Sequence, residues 1–352
     1  MTVLHDQEVT RTARPAQGPV RVTVSRTLFL LAAAVLLAVV FLLSLWVGAR
    51  GIPFAEIWTA LWHPDGGETS FIVHEMRMSR ASLALVLGAA LGVAGALIQA
   101  LTRNPLADTG ILGVGAGANV AVVIAIGLFG VTAISQYLWF AFVGAILVTV
   151  LIYALGSIGS VGATPIRLTL VGVALGALLG GFASAITMLH PESFDDMLRW
   201  SAGSLAGRGW GTLATVAVPI AIGLAIAAVA GRPLNAISLG DDLARSLGAN
   251  VVRTRILVII AVTLLAGAAT AAAGPIGFVG LMVPHVVRWF TGPDQRWIIP
   301  FSAVGAALLL LASDVIGRVV LAPQELEVGI VTAFVGAPVL VLLARRTKVS
   351  GL

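Results

Sequence analysis

The sequence predicts an all-α fold: a polytopic membrane protein of about ten transmembrane helices with both termini in the cytoplasm. Three observations predict it. Only 11% of the residues are charged, where a soluble domain carries roughly 25%. The mean hydropathy is +1.03. The apolar residues gather into uncharged runs near the roughly 20 residues that a bilayer crossing requires. So little charge cannot cover a water-facing surface, so most of the surface faces lipid and the 352 residues form one membrane domain.

The elements follow in order. Residues 1–26 are polar and carry Arg11, Arg14, Arg21 and Arg26; they are expected to form a mobile cytoplasmic arm. Residues 27–348 are the membrane domain. Its first run, Thr27 to Val47, has 21 uncharged residues. A cleavable signal has an apolar region of about 7–15 residues and a small-x-small site, so this run is the first span. Ala81 to Thr102 is the second. Thr109 to Ile166 holds no charge and is long enough for two, with the polar Ser135-Gln136 pair as the expected turn. Leu168 to Pro191 and Gly209 to Gly231 come next, then Ile256 to Val287, Trp297 to Ser313 and Val328 to Ala344.

Ile256 to Val287 has 32 residues around Ala-Ala-Ala-Gly-Pro-Ile-Gly, and is either one span with a buried cap or two short spans folded at Gly274-Pro275. Orientation decides for two. With ten spans, fifteen of the 21 basic residues fall inside and six outside, namely Arg50, Arg77, Arg80, Arg199, Arg208 and Arg318. A single crossing would expel the Arg345-Arg346-x-Lys348 tail and the Arg288/Arg296 loop, against the positive-inside tendency. Trp46, Trp62, Trp139, Trp200, Trp210, Trp289 and Trp297 lie near span ends, where an indole sits at headgroup level. Gly88 and Gly92, and Gly172, Gly176 and Gly180, recur one turn apart and predict close helix packing in lipid.

Several function classes drop out. A pI near 10.9 suggests nucleic acid, but the basic residues are scattered at the ends of apolar runs rather than clustered in a stripe. Cysteine is absent, which removes disulfides, thiolate catalysis and Cys-based metal sites. A P-loop needs a lysine that reaches the β/γ-phosphates, and the single lysine, Lys348, follows Arg-Arg-Thr. No metal site is expected: His5, His63, His74, His190 and His285 are dispersed, and no His-Glu-x-x-His or Gly-x-Ser-x-Gly occurs. The 16 carboxylates lie at span ends or in loops, Asp314 coming closest to a membrane position. An ion-coupled secondary transporter, the alternative from another class, keeps ionisable groups near the midplane. A membrane-embedded enzyme lacks a catalytic cluster.

Two segments stand out as places where a partner acts. Gly231 to Arg255 is a long polar connection, predicted inside. Asp241 and Asp242 follow Gly240, where a helix N-terminus favours negative charge. Leu243 and Leu247 are one turn apart, and Gly248 and Asn250 are helix terminators. The segment predicts a short amphipathic helix, a turn and a second helix start: a docking knob at about residues 238–252. The second feature is the outside arginines, Arg77, Arg80 and Arg318. Headgroup contact explains them, and so does an acidic partner or an anionic substrate arriving from outside.

Arg77-Met-Ser-Arg80, the Gly88 to Gln99 stretch, Thr102-Arg-Asn-Pro-Leu-Ala-Asp108, Gly110-Ile-Leu-Gly-Val-Gly115, Leu239 to Gly248, Gly274 to His285 and Gly336-Ala-Pro338 together resemble the FecCD-type permeases. These are membrane subunits of type II ABC importers for ferric siderophores, haem and cobalamin, and the resemblance runs from about Thr27 to Lys348. It implies a second permease subunit (an identical or a related chain), two cytoplasmic ATPase subunits that bind ATP and Mg, an external solute-binding protein, and a place in a bacterial inner membrane. It implies no cofactor on this chain and no nucleic acid. Arg77, Arg80 and Arg318 would face glutamates of the binding protein. Gly240, Asp241, Asp242, Leu243, Ala244, Arg245, Leu247 and Gly248 would couple to the ATPase. Asn104, Pro105 and Asp108, with Thr164 and Pro165 of the Gly162–Ile166 loop, would lie near the cytoplasmic gate. A ferric siderophore is the favoured cargo, with haem or cobalamin as alternatives.

Overall fold

The computed structural model describes residues 19–48, 50–131, 133–158, 164–191 and 194–346, and among them every regular element is a helix. Helix α1 is Pro19–Trp46, α2 Phe54–Trp62 and α3 Glu68–Phe71. A π-helical stretch, Ile72–Met78, joins α3 to α4, Ser79–Thr102, so that Glu68–Thr102 is one continuous rod of 35 residues. A 3-10 turn at Thr109–Leu112 precedes α5 (Val114–Gly127), α6 (Ile134–Gly156), α7 (Pro165–Leu189), α8 (Phe194–Ser201) and α9 (Trp210–Ser238). Then come α10 (Asp241–Ser246), α11 (Val251–Ala273), α12 (Val279–Thr291), α13 (Gln295–Val320) and α14 (Val328–Arg346). By length and composition, seven helical stretches of the described residues can cross a membrane: α1, the α3–α4 rod, α6, α7, α9, α11 and α13. The apolar helix α5 and the Val328–Leu342 part of α14 are shorter.

Each predicted run is helical, with three adjustments. Helix α1 begins at Pro19, so residues 19–26 of the expected arm are helical and its earlier part lies outside the described residues. The break in the Thr109–Ile166 run falls at residues 128–133 rather than at Ser135-Gln136, which instead open α6. Gly130 takes φ +63° there, the left-handed conformation that ends helices cheaply only at glycine. The 32-residue run does divide at Gly274, where φ is +78°. Its second half, α12, has only 13 residues, about 20 Å of helix, too short to cross a hydrocarbon core of about 30 Å alone.

The packing is that of a membrane bundle. Most of α4 and α11 is buried, whereas most of α1 and α7 is not. Without a hydrophobic drive between helices in lipid, close approach depends on small residues, and the central helices supply them. A Cβ on Gly88 would sit 2.5 Å from Ala307 Cα on α13, and one on Gly95 would meet the Gly280 carbonyl of α12. The α7 stripe behaves differently: Gly172 abuts the Ile111 carbonyl, but Gly180 faces open space.

Candidate functional site

Two clusters of charge lie at opposite ends of α4. From Arg80 to Arg103 is 23 helical steps, roughly 35 Å at 1.5 Å per residue, which is a bilayer's thickness.

The first cluster gathers Arg77 from the π-helical stretch, Arg80 from α4 and Arg318 from α13. Arg318 lies one turn beyond Asp314, whose side chain is fully buried. Arg80 Nε donates to Asp314 Oδ1 at 2.8 Å, and Arg318 Nε donates to Asp314 Oδ2 at 3.0 Å. One carboxylate therefore serves two guanidinium groups. Arg80 also donates through Nη1 to Glu325 Oε2 at 2.6 Å, on the loop between α13 and α14.

The same cluster terminates α1. The last four carbonyls of a helix have no partner within it, and the negative end of its dipole attracts cations. Helix α1 has no basic residue in its last turn. Arg77 Nη1 donates to the carbonyls of Leu45 and Trp46 at 2.9 and 2.8 Å, and Nη2 to that of Arg50 at 2.6 Å. Arg318 Nη1 donates to Ser44 O at 3.0 Å and Val47 O at 3.3 Å. Gly48 makes room, since a Cβ there would stand 2.8 Å from Arg77 Nη2. Arg77 and Arg318 are both buried. The structure thus supplies a reason for basic residues at this end that the sequence reading lacked: they neutralise a buried acid and cap a helix.

The second cluster is built on α10. Gly240 has φ +113°, a conformation closed to other residues without strain, and it turns the chain from α9 into α10. Ala244 packs between Ile237 and Val251, so the short helix is pinned to α9 and α11. Leu243 and Leu247 remain exposed. Asp241 joins two helices: it pairs with Arg103 at the end of α4 and accepts from Arg255 Nη2 on α11 at 2.7 Å. Asp242 pairs with Arg245 at 3.0 Å, and its side chain is 100% exposed. After Gly248, at φ +82°, Asn250 Oδ1 accepts from Arg253 N at 2.9 Å and caps α11.

The expected gate residues are turn formers near this second cluster. Asn104 Oδ1 accepts from Leu106 N, and Asp108 Oδ1 from Gly110 N, both at 2.9 Å. Thr164 Oγ1 accepts from Arg167 N at 3.4 Å and Pro165 opens α7. Gly162 and Ala163 lie outside the described residues. A narrow crevice lined by Thr102, Ile111, Tyr153, Pro165 and Arg255 joins these segments to the partner of Asp241. One pair escaped the sequence reading. Gln99, buried on α4, donates to Leu281 O at 2.9 Å and accepts from Arg288 Nη1 at 2.7 Å. Arg288 lies in the last turn of α12 rather than in a loop; the legible signal was one glutamine in an apolar run. Among the described residues no three His, Cys, Asp or Glu side chains gather as metal ligands.

A sequence profile of the FecCD transport family matches residues 36–346. The chain belongs to that family. It is similar to the ferric enterobactin transport system permease FepD of Escherichia coli, with 44% identity over 94% of this chain and 98% of that protein. It is 36% identical to the hemin transport system permease HmuU of Yersinia pestis, over 89% of this chain and 94% of that one. A metal-chelate type ABC transporter solved in an inward-facing conformation superposes with a TM-score of 0.79 at 25% identity, covering 90% of this chain and 99% of that one. The apolar helices are therefore those of a multi-pass FecCD permease of an ABC transporter, and the two clusters mark the ends of its membrane bundle.

Proposed function

We propose that this FecCD permease is the membrane-spanning subunit of an ATP-driven importer in a bacterial inner membrane. It passes an iron chelate, with a ferric siderophore favoured over haem or cobalamin, from an external solute-binding protein to the cytoplasm by alternating access. Ten crossings, with the short α5 and α14 counted and α12 completed by the non-helical residues 274–278 before it, put both termini and α10 inside, in keeping with the distribution of basic residues. A second permease subunit and two ATPases complete the assembly; ATP and Mg bind to the ATPases and not to this chain. The relatives' transport of ferric enterobactin, ferric citrate and hemin supports the substrate class.

The observation that carries the reading is α10. Its outer face offers Leu243, Leu247 and Asp242 to a cytoplasmic partner, while Asp241 ties it to α4 and α11, the two most buried spans. A push on α10 is delivered through two ion pairs to the centre of the bundle, and α4 carries it to the arginine cluster at the far side. Such a transmission needs stiff elements that move between discrete packings.

The test is purification of the tagged chain in gentle detergent, identification of co-purifying proteins by mass spectrometry, and reconstitution with them. A P-loop ATPase at about one per permease, with vanadate-sensitive uptake of a ferric chelate, is the expected result. Recovery of this chain alone, with uptake that survives ATP depletion and collapses with an ionophore, would overturn the reading in favour of ion coupling.

A further inference from the structure

The arginine cluster at the far end from α10 is not uniformly open to a partner. Arg77 is buried and spent on three carbonyls at and just beyond the end of α1. Arg318 is 3% exposed and divided between Asp314 and the carbonyls of Ser44 and Val47. Arg80 alone presents two faces. Its Nε side is locked to the buried Asp314, and Nη1 points to Glu325, whose side chain is 31% exposed. Glu325 is carried by a loop, anchored next door by Leu326 N donating to Gly317 O at 2.9 Å.

The count of charges is uneven. Three guanidinium groups face two carboxylates, and Arg77 is balanced by carbonyl dipoles rather than by an acid. An incoming carboxylate is therefore attracted to the cluster. It can be accommodated where exchange is cheaper, at the Arg80–Glu325 pair, whose acid is partly exposed on its loop, and not at Asp314, where displacement would strand a buried charge.

We infer that Glu325 is an internal competitor for the carboxylate of an acidic external partner: it holds Arg80 when the partner is absent and yields it on docking, while Arg77 and Arg318 stay in place as the cap of α1. The inference rests on the docking reading of this cluster and assigns its regulation. The partner surface is acidic, and its decisive group is one carboxylate that pairs with Arg80. Because the displaced Glu325 stays nearby on its loop, docking is weakened without being abolished, which favours rapid release.

Two measurements on the purified permease–ATPase complex test it. In the first, the complex is treated with phenylglyoxal and its arginines are mapped by mass spectrometry. Glu325→Gln is expected to speed modification of Arg80 at least threefold, with Arg77 and Arg318 slow in both proteins. Equal rates at Arg80, or ready modification of Arg77 and Arg318, would overturn the inference. In the second, the solute-binding protein identified by co-purification is labelled and titrated onto the complex. Glu325→Gln is expected to tighten docking about three- to tenfold, most at low salt, and Arg80→Gln to weaken it tenfold or more. If Arg80→Gln weakens docking but Glu325→Gln leaves it unchanged, the competitor role fails and the docking reading stands. If Arg80→Gln has no effect, the docking reading fails and the inference with it.

Discussion

The two ends of α4 handle charge in opposite ways. Near Arg80 the ions are buried, share one acid and close the end of another helix. Near Arg103 the ions are more open: Asp241 and its two arginines are partly exposed, and beside them the six-residue helix α10 leaves Asp242, Leu243 and the adjoining Leu247 uncovered. A buried ion pair contributes little net stability, because desolvation offsets attraction, but loss of one partner is severe. An exposed pair is dispensable for folding and available for contact. The far end is thus organised to hold its arginines in one geometry, and the α10 end to present a surface.

The sharpest way to break this contrast is Asp314→Ala. It strands Arg80 and Arg318 against one another, and a cost of about 3–5 kcal/mol is expected. Detergent-solubilised protein should lose its monodisperse peak in fluorescence-detected gel filtration. A normal peak and an unchanged melting temperature would show that the cluster is wetter than its burial implies. Arg77→Ala comes next. It leaves the carbonyls of Leu45, Trp46 and Arg50 without that donor, and an unpaired buried group costs about 1–3 kcal/mol. A lowered melting temperature with a retained peak is expected, and Arg77→Lys should restore only part of it, because an ammonium lacks the guanidinium fork.

At the α10 end the order of effects reverses between stability and coupling. Asp241→Ala removes two partly exposed ion pairs, a stability loss of about 1 kcal/mol or less for each. Substrate-stimulated ATP hydrolysis by the assembled complex should nevertheless fall sharply, since the link from α10 to α4 and α11 is cut. Asp242→Lys touches only a surface pair with Arg245, so its effect on stability should stay within about 0.5 kcal/mol. Co-purification of the ATPase should drop. A fully coupled Asp241→Ala complex would mean that packing of Ala244, and not the ion pairs, transmits the motion.

What was legible in the sequence follows from where each signal resides. The helices were readable because lipid demands uncharged runs of a set length, and α10 because its stop and start signals are local: Gly240, the acidic pair, Leu243 and Leu247, then Gly248 and Asn250. The break after α5 was misplaced because Ser135 and Gln136 look like a turn but serve equally at a helix start, while Gly130 carried the φ that ends the helix. The arginines were found, but were explained by headgroups, an acidic partner or a substrate and not by contacts within the chain. Asp314 and Arg318 are visibly one turn apart, yet Arg80 is 234 residues from Asp314, and the carbonyls that hold Arg77 and Arg318 belong to backbone, which has no side-chain signature. Gln99 and Arg288 met the same obstacle at a separation of 189 residues.

The smallest effect expected is a pH dependence at the start of α13, close to the end of α9. Asp294 Oδ1 accepts from Arg296 N at 3.0 Å and caps α13, and it also accepts from Asn235 Nδ2 at 2.7 Å. Hydrogen bonding from the Arg296 side chain, then from Asn235 and the Arg296 backbone N–H, lowers its pKa from the usual carboxylate value to about 2. A carboxylate depressed on folding stabilises the protein above its unfolded pKa, near 3.9, and that contribution fades as pH falls toward the folded value. The Asp294 side chain is partly buried but its partner Arg296 is exposed, so solvent screens the pair and the contribution is about 1 kcal/mol, in the range of a helix cap. The melting temperature of Asp294→Asn should therefore lie a little below that of the wild type near pH 6, and the two should converge between about pH 4 and pH 2. The buried ions around Asp314 do not contribute to this difference, since both proteins carry them. A gap that widens in acid would mean that Asp294 is held by its neighbours' shape and not by its charge, and that the surface end of the bundle is as rigid as the buried one.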